Sequence, residues 1–346
     1  MANYAATVLL AARALQKENN YRKFDGRPVN SMLMDMFMKD RDIMFPDLSD
    51  IREATTQTTS ILYPKKSLRT VGSAKSCSPT GSIEDSGSVD LTWYTKNVEV
   101  LIAEKRHKGN EFKMAETLAR ELIDAEIDLW KNGAASMEVA LLAYLEANRT
   151  QVATSTGTHF TWDGTNFNYD CAISDLTNFY NYLLDDLKMN DYNGQFLNAY
   201  NTSFGGYIRA QANQGNANAT NTAFQFMNPF DFVGYDSNLI TNATGDIATH
   251  YVVPQGGLML LDWNDPINRE GKVSGDLSWG LYESRYFPGL MLDLFIKTAC
   301  ADTSESGGGT QDFVHIYELS FNYAIAKSPL STANATPIFK VNALST

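Results

Sequence analysis

The chain has 346 residues, 44% of them hydrophobic and 20% charged, which is the composition of a folded protein with room for two or three sub-domains. Its net charge of −12 is uneven: residues 1–150 hold 20 Lys and Arg against 21 Asp and Glu, and residues 151–346 hold 8 against 19. The acidic second part would be repelled by phosphate, which argues against a general nucleic-acid grip. The three widely spaced cysteines, Cys77, Cys171 and Cys300, form no C-x-x-C pair and argue against a disulfide framework or a zinc site.

Residues 5–18 read as a helix. The apolar run from Val8 to Ala12 is short, has no basic residue ahead of it, and is followed by Arg13 and Lys17. That charge order is the reverse of a secretory signal, and no apolar stretch approaches the roughly 20 residues of a membrane span, so the chain reads as cytoplasmic. The Met-rich segment around Met32, Met34, Met36 and Met38 reads as a helix buried in the core, with an adaptable contact surface as the other reading.

Residues 51–104 read as two extended arms joined by a Ser/Gly/Pro-rich tip at 76–88. In the returning arm Val89, Leu91 and Trp93 alternate with polar residues, and past Asn97 the apolar phase moves by one to Val98, Val100 and Ile102. Such a change of phase suggests a bulge. A long hairpin of this kind has little to bury within its own chain and calls for cover from another subunit.

Two helices follow, over 110–148. The first carries Phe112, Ala115, Leu118, Ala119, Leu122 and Ile123 at helical spacing and stops at Asn132-Gly133; the second carries Val139, Leu142 and Leu145. If nearly collinear they would span roughly 50 Å at about 1.5 Å per residue. An amphipathic helix with Leu176, Phe179, Tyr180, Leu183, Leu184 and Leu187 is expected to be capped by Ser174 or Asp175 and to end at Asn193-Gly194. Short strands are expected at 250–254, 258–263 and 290–296. From 314 to 327, Tyr317, Leu319, Phe321, Tyr323 and Ile325 share one face of a strand of roughly 40 Å at about 3.3 Å per residue.

Motifs of catalysis are missing: there is no G-x-S-x-G, H-E-x-x-H, G-x-x-x-x-G-K-[ST] or G-x-G-x-x-G. The four histidines, His107, His159, His250 and His315, are scattered, and residues 262–268 fail as a calcium loop because Pro266 stands at the fifth position and Val273 at the closing one. They read as a turn. Asp185 and Asp186 read as neighbours on a helix's polar face. No catalytic, cofactor or metal residue is expected.

The order of elements resembles the tailed-bacteriophage major capsid protein family (the tailed-phage/herpesvirus capsid fold). The local text adds to this: Val252-Val253-Pro254-Gln255-Gly256-Gly257-Leu258, then Trp263-Asn264-Asp265-Pro266, Phe287-Pro288-Gly289, the strand at 312–329 and Thr336-Pro337-Ile338-Phe339-Lys340. The resemblance implies an α+β fold with an N-terminal arm (1–50), an extended β-hairpin loop (51–104), a long spine helix in a peripheral domain (105–150), an axial domain (151–310) and returning strands of the peripheral β-sheet (311–346). It implies a homo-oligomeric, icosahedral virion shell of hexameric and pentameric capsomers, assembled in a bacterial cytoplasm around double-stranded DNA, with scaffolding and portal proteins as further partners, no membrane and no enzymatic activity. Lys65, Lys66, Arg69 and Lys75 near the hairpin would carry inter-subunit contacts, their plainer reading being solvated charge on a loop. A carbohydrate-binding or carbohydrate-active β-rich protein, with Trp162 and Trp263 as stacking sites, is the alternative, and another virion structural protein is the third.

Overall fold

The computed structural model describes residues 2–18, 32–39, 48–64, 86–108, 110–149, 159–164, 168–173, 179–189, 192, 194–206, 232–302, 311–328 and 338–345. In chain order come helices α1 (Ala2–Glu18), α2 (Met32–Met38) and α3 (Leu48–Glu53), strands β1 (Ser60–Pro64), β2 (Ser86–Asp90) and β3 (Trp93–Ala103), and helices α4 (Glu111–Ile127) and α5 (Met137–Asn148). Then follow β4 (Phe160–Asp163), β5 (Asn168–Ile173), α6 (Phe179–Met189), β6 (Phe196–Asn201), β7 (Phe232–Ser237), β8 (Asp246–Pro254), β9 (Leu258–Trp263), α7 (Pro266–Glu270), β10 (Val273–Ser274), β11 (Leu277–Glu283), β12 (Met291–Asp302), β13 (Gln311–Lys327) and β14 (Phe339–Ser345). The class is α+β, as expected.

Helix α4 starts where Asn110 accepts a hydrogen bond from the Lys113 N–H at 3.1 Å, an N-cap that satisfies one of the otherwise unpaired first-turn donors. Its buried stripe is Met114, Ala115, Leu118, Ala119, Leu122 and Ile123. Phe112 was expected to open that stripe. It is 64% exposed, because its first-turn position lies uncovered among the described residues. The chain then passes through one π-helical turn, Asp128–Asn132, and stops at Gly133, whose N–H donates to the Asp128 carbonyl at 2.9 Å. A Cβ at Gly133 would lie 2.7 Å from that oxygen, so this close approach requires glycine. In α5 the buried residues are Met137, Glu138, Leu141 and Leu145, while Val139 is exposed, one residue off the expected stripe.

Among the described residues the strands form two six-stranded sheets and one separate two-stranded pair. The first large sheet runs β10-β11-β12-β13-β3, with β9 also paired to β13; the second runs β4-β5-β14-β8-β6-β7. Strand β13 is the backbone of the first sheet, with 17 residues spanning roughly 56 Å at about 3.3 Å each. The five-part division drawn on the sequence does not coincide with these sheets. Strands β9 to β12, inside the expected axial segment, pair in the sheet of β3 and β13. Strand β14, from the expected returning segment, pairs in parallel with β5 and antiparallel with β8.

Helices α1 and α4 cover the inner face of the first sheet, where Val100, Leu294, Ile296, Tyr317 and Leu319 join one continuous core with Val8, Ala12, Leu118 and Leu122. The Met segment belongs to this core: Leu33, Met34, Met36 and Phe37 are fully buried, the outcome favoured for it over a contact surface. Polar ties fix α1 in place. Gln16 donates to the Ala119 carbonyl at 2.8 Å, Arg13 to the Leu281 carbonyl at 2.6 Å, and the Tyr317 hydroxyl to the Ala5 carbonyl at 3.1 Å.

No bulge accompanies the change of phase near Asn97, because the β3–β13 register runs unbroken from Trp93↔Ala324 to Ala103↔Val314. What changes is the covered face. Trp93 shares the outer face with Ala324 and packs in a small core with Leu91, Met259, Leu261, Ala326 and the α3 residues Leu48 and Ile51. Val98, Val100 and Ile102 turn to the inner face under α1 and α4. The returning arm is also not one strand: β2 ends at Asp90, and Leu91 and Thr92 separate it from β3.

Candidate self-association surface

Within the segment expected as an extended hairpin, 51–104, the described residues show one antiparallel pair in its own sheet, Ser60↔Asp90 through Pro64↔Ser86, while 93–103 pairs with β13. Ile61 anchors its root in the α3 core, whereas Leu62, on the opposite side of the strand, is 73% exposed. Lys65, Lys66, Arg69 and Lys75 lie outside the described residues, as does the rest of the tip. A two-stranded pair on its own is marginally stable in water, so its outward side calls for cover.

A second open surface lies on the outer face of the first large sheet. Cross-strand neighbours point to the same side, so Leu277, Lys297, Ile316 and Leu101 form one row across four strands, and Trp279, Phe295, Glu318 and Glu99 form the next. Leu101 is 57% exposed, and the Trp279 and Phe295 rings lie 5.4 Å apart with the Lys297 ammonium 6.0 Å from the Phe295 centroid. Glu318 and Glu99 stand directly opposite one another. Lys297 Nζ at 3.7 Å from Glu99 and Asn97 Nδ2 at 3.0 Å from Glu318 offset that repulsion. No described residue covers this half of the face, while the half bearing Ala324 and Ala326 is closed by α3.

The surface is held by a buried polar framework that the sequence did not disclose. Glu126, fully buried on α4, accepts from Trp130 Nε1 at 3.1 Å, the Ser284 hydroxyl at 2.5 Å and the Arg285 N–H at 2.9 Å. Burial raises its carboxyl above the ordinary range, and the three donors oppose the rise. Arg285 continues to the Gln16 carbonyl at 2.9 Å, tying α4, α1 and the β11–β12 turn together. Asp293 accepts from Asn264 at 2.9 Å and Asn322 at 2.7 Å, and burial pushes its carboxyl up to about 6. Asp262, from the rejected calcium loop, is bound by Arg52 of α3 at 2.6 Å, and Asp265 caps a short helix, α7, where a plain turn was expected. Among the described residues no group of three or more His, Cys, Asp or Glu could hold a metal ion.

Other candidates take structural places. Trp263 donates to the Ala54 carbonyl at 2.9 Å, and Trp162 packs on Tyr169 with centroids 4.7 Å apart, so neither is the free platform a sugar would need. Asp186 is buried and only Asp185 faces out, because α6 is enclosed over more of its girth than a strict polar face would allow. The expected caps Ser174 and Asp175 and the stop at Asn193 lie outside the described residues, and α6 ends at Met189. His315 joins Glu104 at 2.8 Å and Thr298 at 3.1 Å within the sheet, and His250 is enclosed by rings in the second sheet's core.

No protein family matches the sequence, and no curated protein does. Among solved structures the chain is similar to one from Mycobacterium phage Che8, at 9% identity and a TM-score of 0.47 over 92% of this chain and 93% of that one. It is similar to one from Mycobacterium phage Bobi at 14% identity and a TM-score of 0.42, with 93% of each chain covered. A third is the capsid structure of the cyanophage P-SCSP1u, at 10% identity and a TM-score of 0.40 over 84% and 85%. At these identities and scores the likeness by itself assigns no function.

Proposed function

We propose that this chain is a shell-forming structural subunit, the major capsid protein of a tailed bacteriophage, and that its role is assembly rather than catalysis. The observation that carries the reading is the hairpin: a separate two-stranded pair, rooted by Ile61 and presenting Leu62 outward, beside a large sheet whose outer face is half open. The arm of one copy lies on the open rows of the next, where Leu101, Ile316 and Phe295 offer apolar contact and Glu99 and Glu318 attract the arm's Lys65, Lys66, Arg69 and Lys75. The peripheral unit comprises α1, β3, α4, α5, β9 to β13 and the hairpin; the axial unit comprises β4 to β8, α6 and β14. Capsomers of such subunits close into the virion shell around double-stranded DNA, in a bacterial cytoplasm, with scaffolding and portal proteins as partners.

The test is assembly itself. The purified chain is followed by light scattering and negative-stain microscopy beside a variant in which residues 67–85 are replaced by a short Gly-Ser linker, leaving β1 and β2 intact. The intact chain should form capsomers or shells, and the variant should keep its far-ultraviolet circular dichroism and stay small. A monomer at every concentration, or a variant that assembles as well as the intact chain, would refute the reading.

A further inference from the structure

The two edges of the first large sheet differ in a complementary way. At one edge β10 and β11 form a hairpin with register Val273↔Ser278 and Ser274↔Leu277, which leaves Gly275 and Asp276 as a two-residue turn, with Gly275 at φ +60° as such turns require. The tip is exposed: Val273 is 56% and Leu277 36% accessible, and Asp276 between them makes no ion pair with any described residue. At the other edge, where β3 ends, a pocket of about 340 Å³ opens between Ala103, Val314, Ala301 and the α4 residues Thr117 and Glu121. Arg106 and His107 line its rim, Leu101 and Phe313 (44%) are exposed nearby, and neither Arg106 nor Lys108 has an ion partner among the described residues.

We propose that copies of this chain associate head to tail through these edges, the Val273–Asp276–Leu277 tip of one copy seated in the β3–α4 pocket of the next with Asp276 against Arg106. The contact rests on the self-assembly reading; it borders the hairpin-arm contact at Leu101 but uses a different charge pair, Asp276 and Arg106. Its occupant is a second copy because apolar side chains flanking one acidic group match a pocket whose wall joins Ile102, Ala103, Ala301 and Val314 to a basic rim, whereas Glu121 in the wall disfavours an anionic polymer. One acidic tip and one basic pocket, four strand spacings or roughly 19 Å apart at about 4.8 Å each, make a heterologous interface. Such an interface repeats from subunit to subunit and closes into a ring if the rotation permits, which is what a capsomer needs.

The test is a reciprocal charge swap on the full chain. Arg106→Glu and Asp276→Lys, made singly, should each slow assembly by about tenfold or more in light scattering, and the double variant should recover most of the wild-type rate. Thermal melts confirm that each variant is folded. In parallel, Arg106→Cys and Asp276→Cys chains, with Cys77, Cys171 and Cys300 replaced by Ala, are mixed with a short bismaleimide. A 106–276 cross-link that forms only in the mixture supports the contact. Singles that assemble at the wild-type rate, a double variant no faster than the singles, or cross-linking in either chain alone would overturn it while leaving the hairpin-arm contact standing. A wild-type chain that never assembles overturns the self-assembly reading and this contact with it.

Discussion

His250 offers the most quantitative test of the second sheet's core. The imidazole is fully buried among Phe179, Tyr180, Tyr200 and Phe204, with ring centroids 4.6 to 5.9 Å away. Its Nδ1 lies 3.1 Å from Asn198 Oδ1, and its Nε2 has no hydrogen-bond partner among the described residues. No anion among the described residues compensates a charge, and burial pushes the ring's pKa down to about 3 from the ordinary 6.5. Above pH 6.5 the ring is neutral folded or unfolded, and stability is complete. Between 6.5 and 3 only the unfolded chain takes up the proton, so stability falls with pH; below about 3 both states are charged and this loss ends. At about 1.4 kcal/mol per factor of ten, the whole effect is about 5 kcal/mol, of which about 2.5 kcal/mol falls between pH 6 and pH 4. His250→Gln keeps a polar group near Asn198 and removes the titration. The assay is urea unfolding of dilute, unassembled protein across that interval. The stability advantage of wild type over the variant should shrink by the stated amount as the pH is lowered. Curves that stay parallel would refute a neutral, uncompensated ring.

The buried polar framework yields further expectations. Glu126→Ala removes the shared acceptor of Trp130, Ser284 and Arg285 and should cost about 3–5 kcal/mol in chemical denaturation, with Glu126→Gln less harmful because one oxygen acceptor remains. Arg52→Met leaves Asp262 buried without its cation and should destabilise by about 2–3 kcal/mol, with hydrogen exchange rising first in α3. At pH 8 a maleimide should label exposed Cys300 in the native protein and spare Cys171, whose burial raises its thiol to about 11; peptide mapping by mass spectrometry reads the difference.

Much of the fold was legible because single-chain periodicity and burial agree wherever an element is covered on one side. Strand β13 alternates from Tyr317 to Tyr323, where α1 and α4 cover one face and α3 has not yet closed the other, and α4 shows its stripe because it too is covered on one side. The signal failed where cover came from both sides or from neither. Near Asn97 two opposite faces are buried in succession, a pattern that one strand read alone cannot distinguish from a bulge. Phe112 and Val139 sit at helical spacing yet face solvent, and Glu126 and Glu138 look like surface charge yet are buried, because a pattern of residue types does not say how far the next element extends.

The sequence by itself determined the elongated elements, the missing catalytic motifs and the hairpin, all of which follow from local spacing and residue type. Only the tertiary structure decided which strands share a sheet, that β14 joins β5 and β8, and that, among the described residues, half of one sheet's outer face is open while its two edges carry opposite unpaired charges. Those outcomes depend on contacts between residues distant in sequence, and their energies come from burial and pairing across strands, which no local pattern encodes.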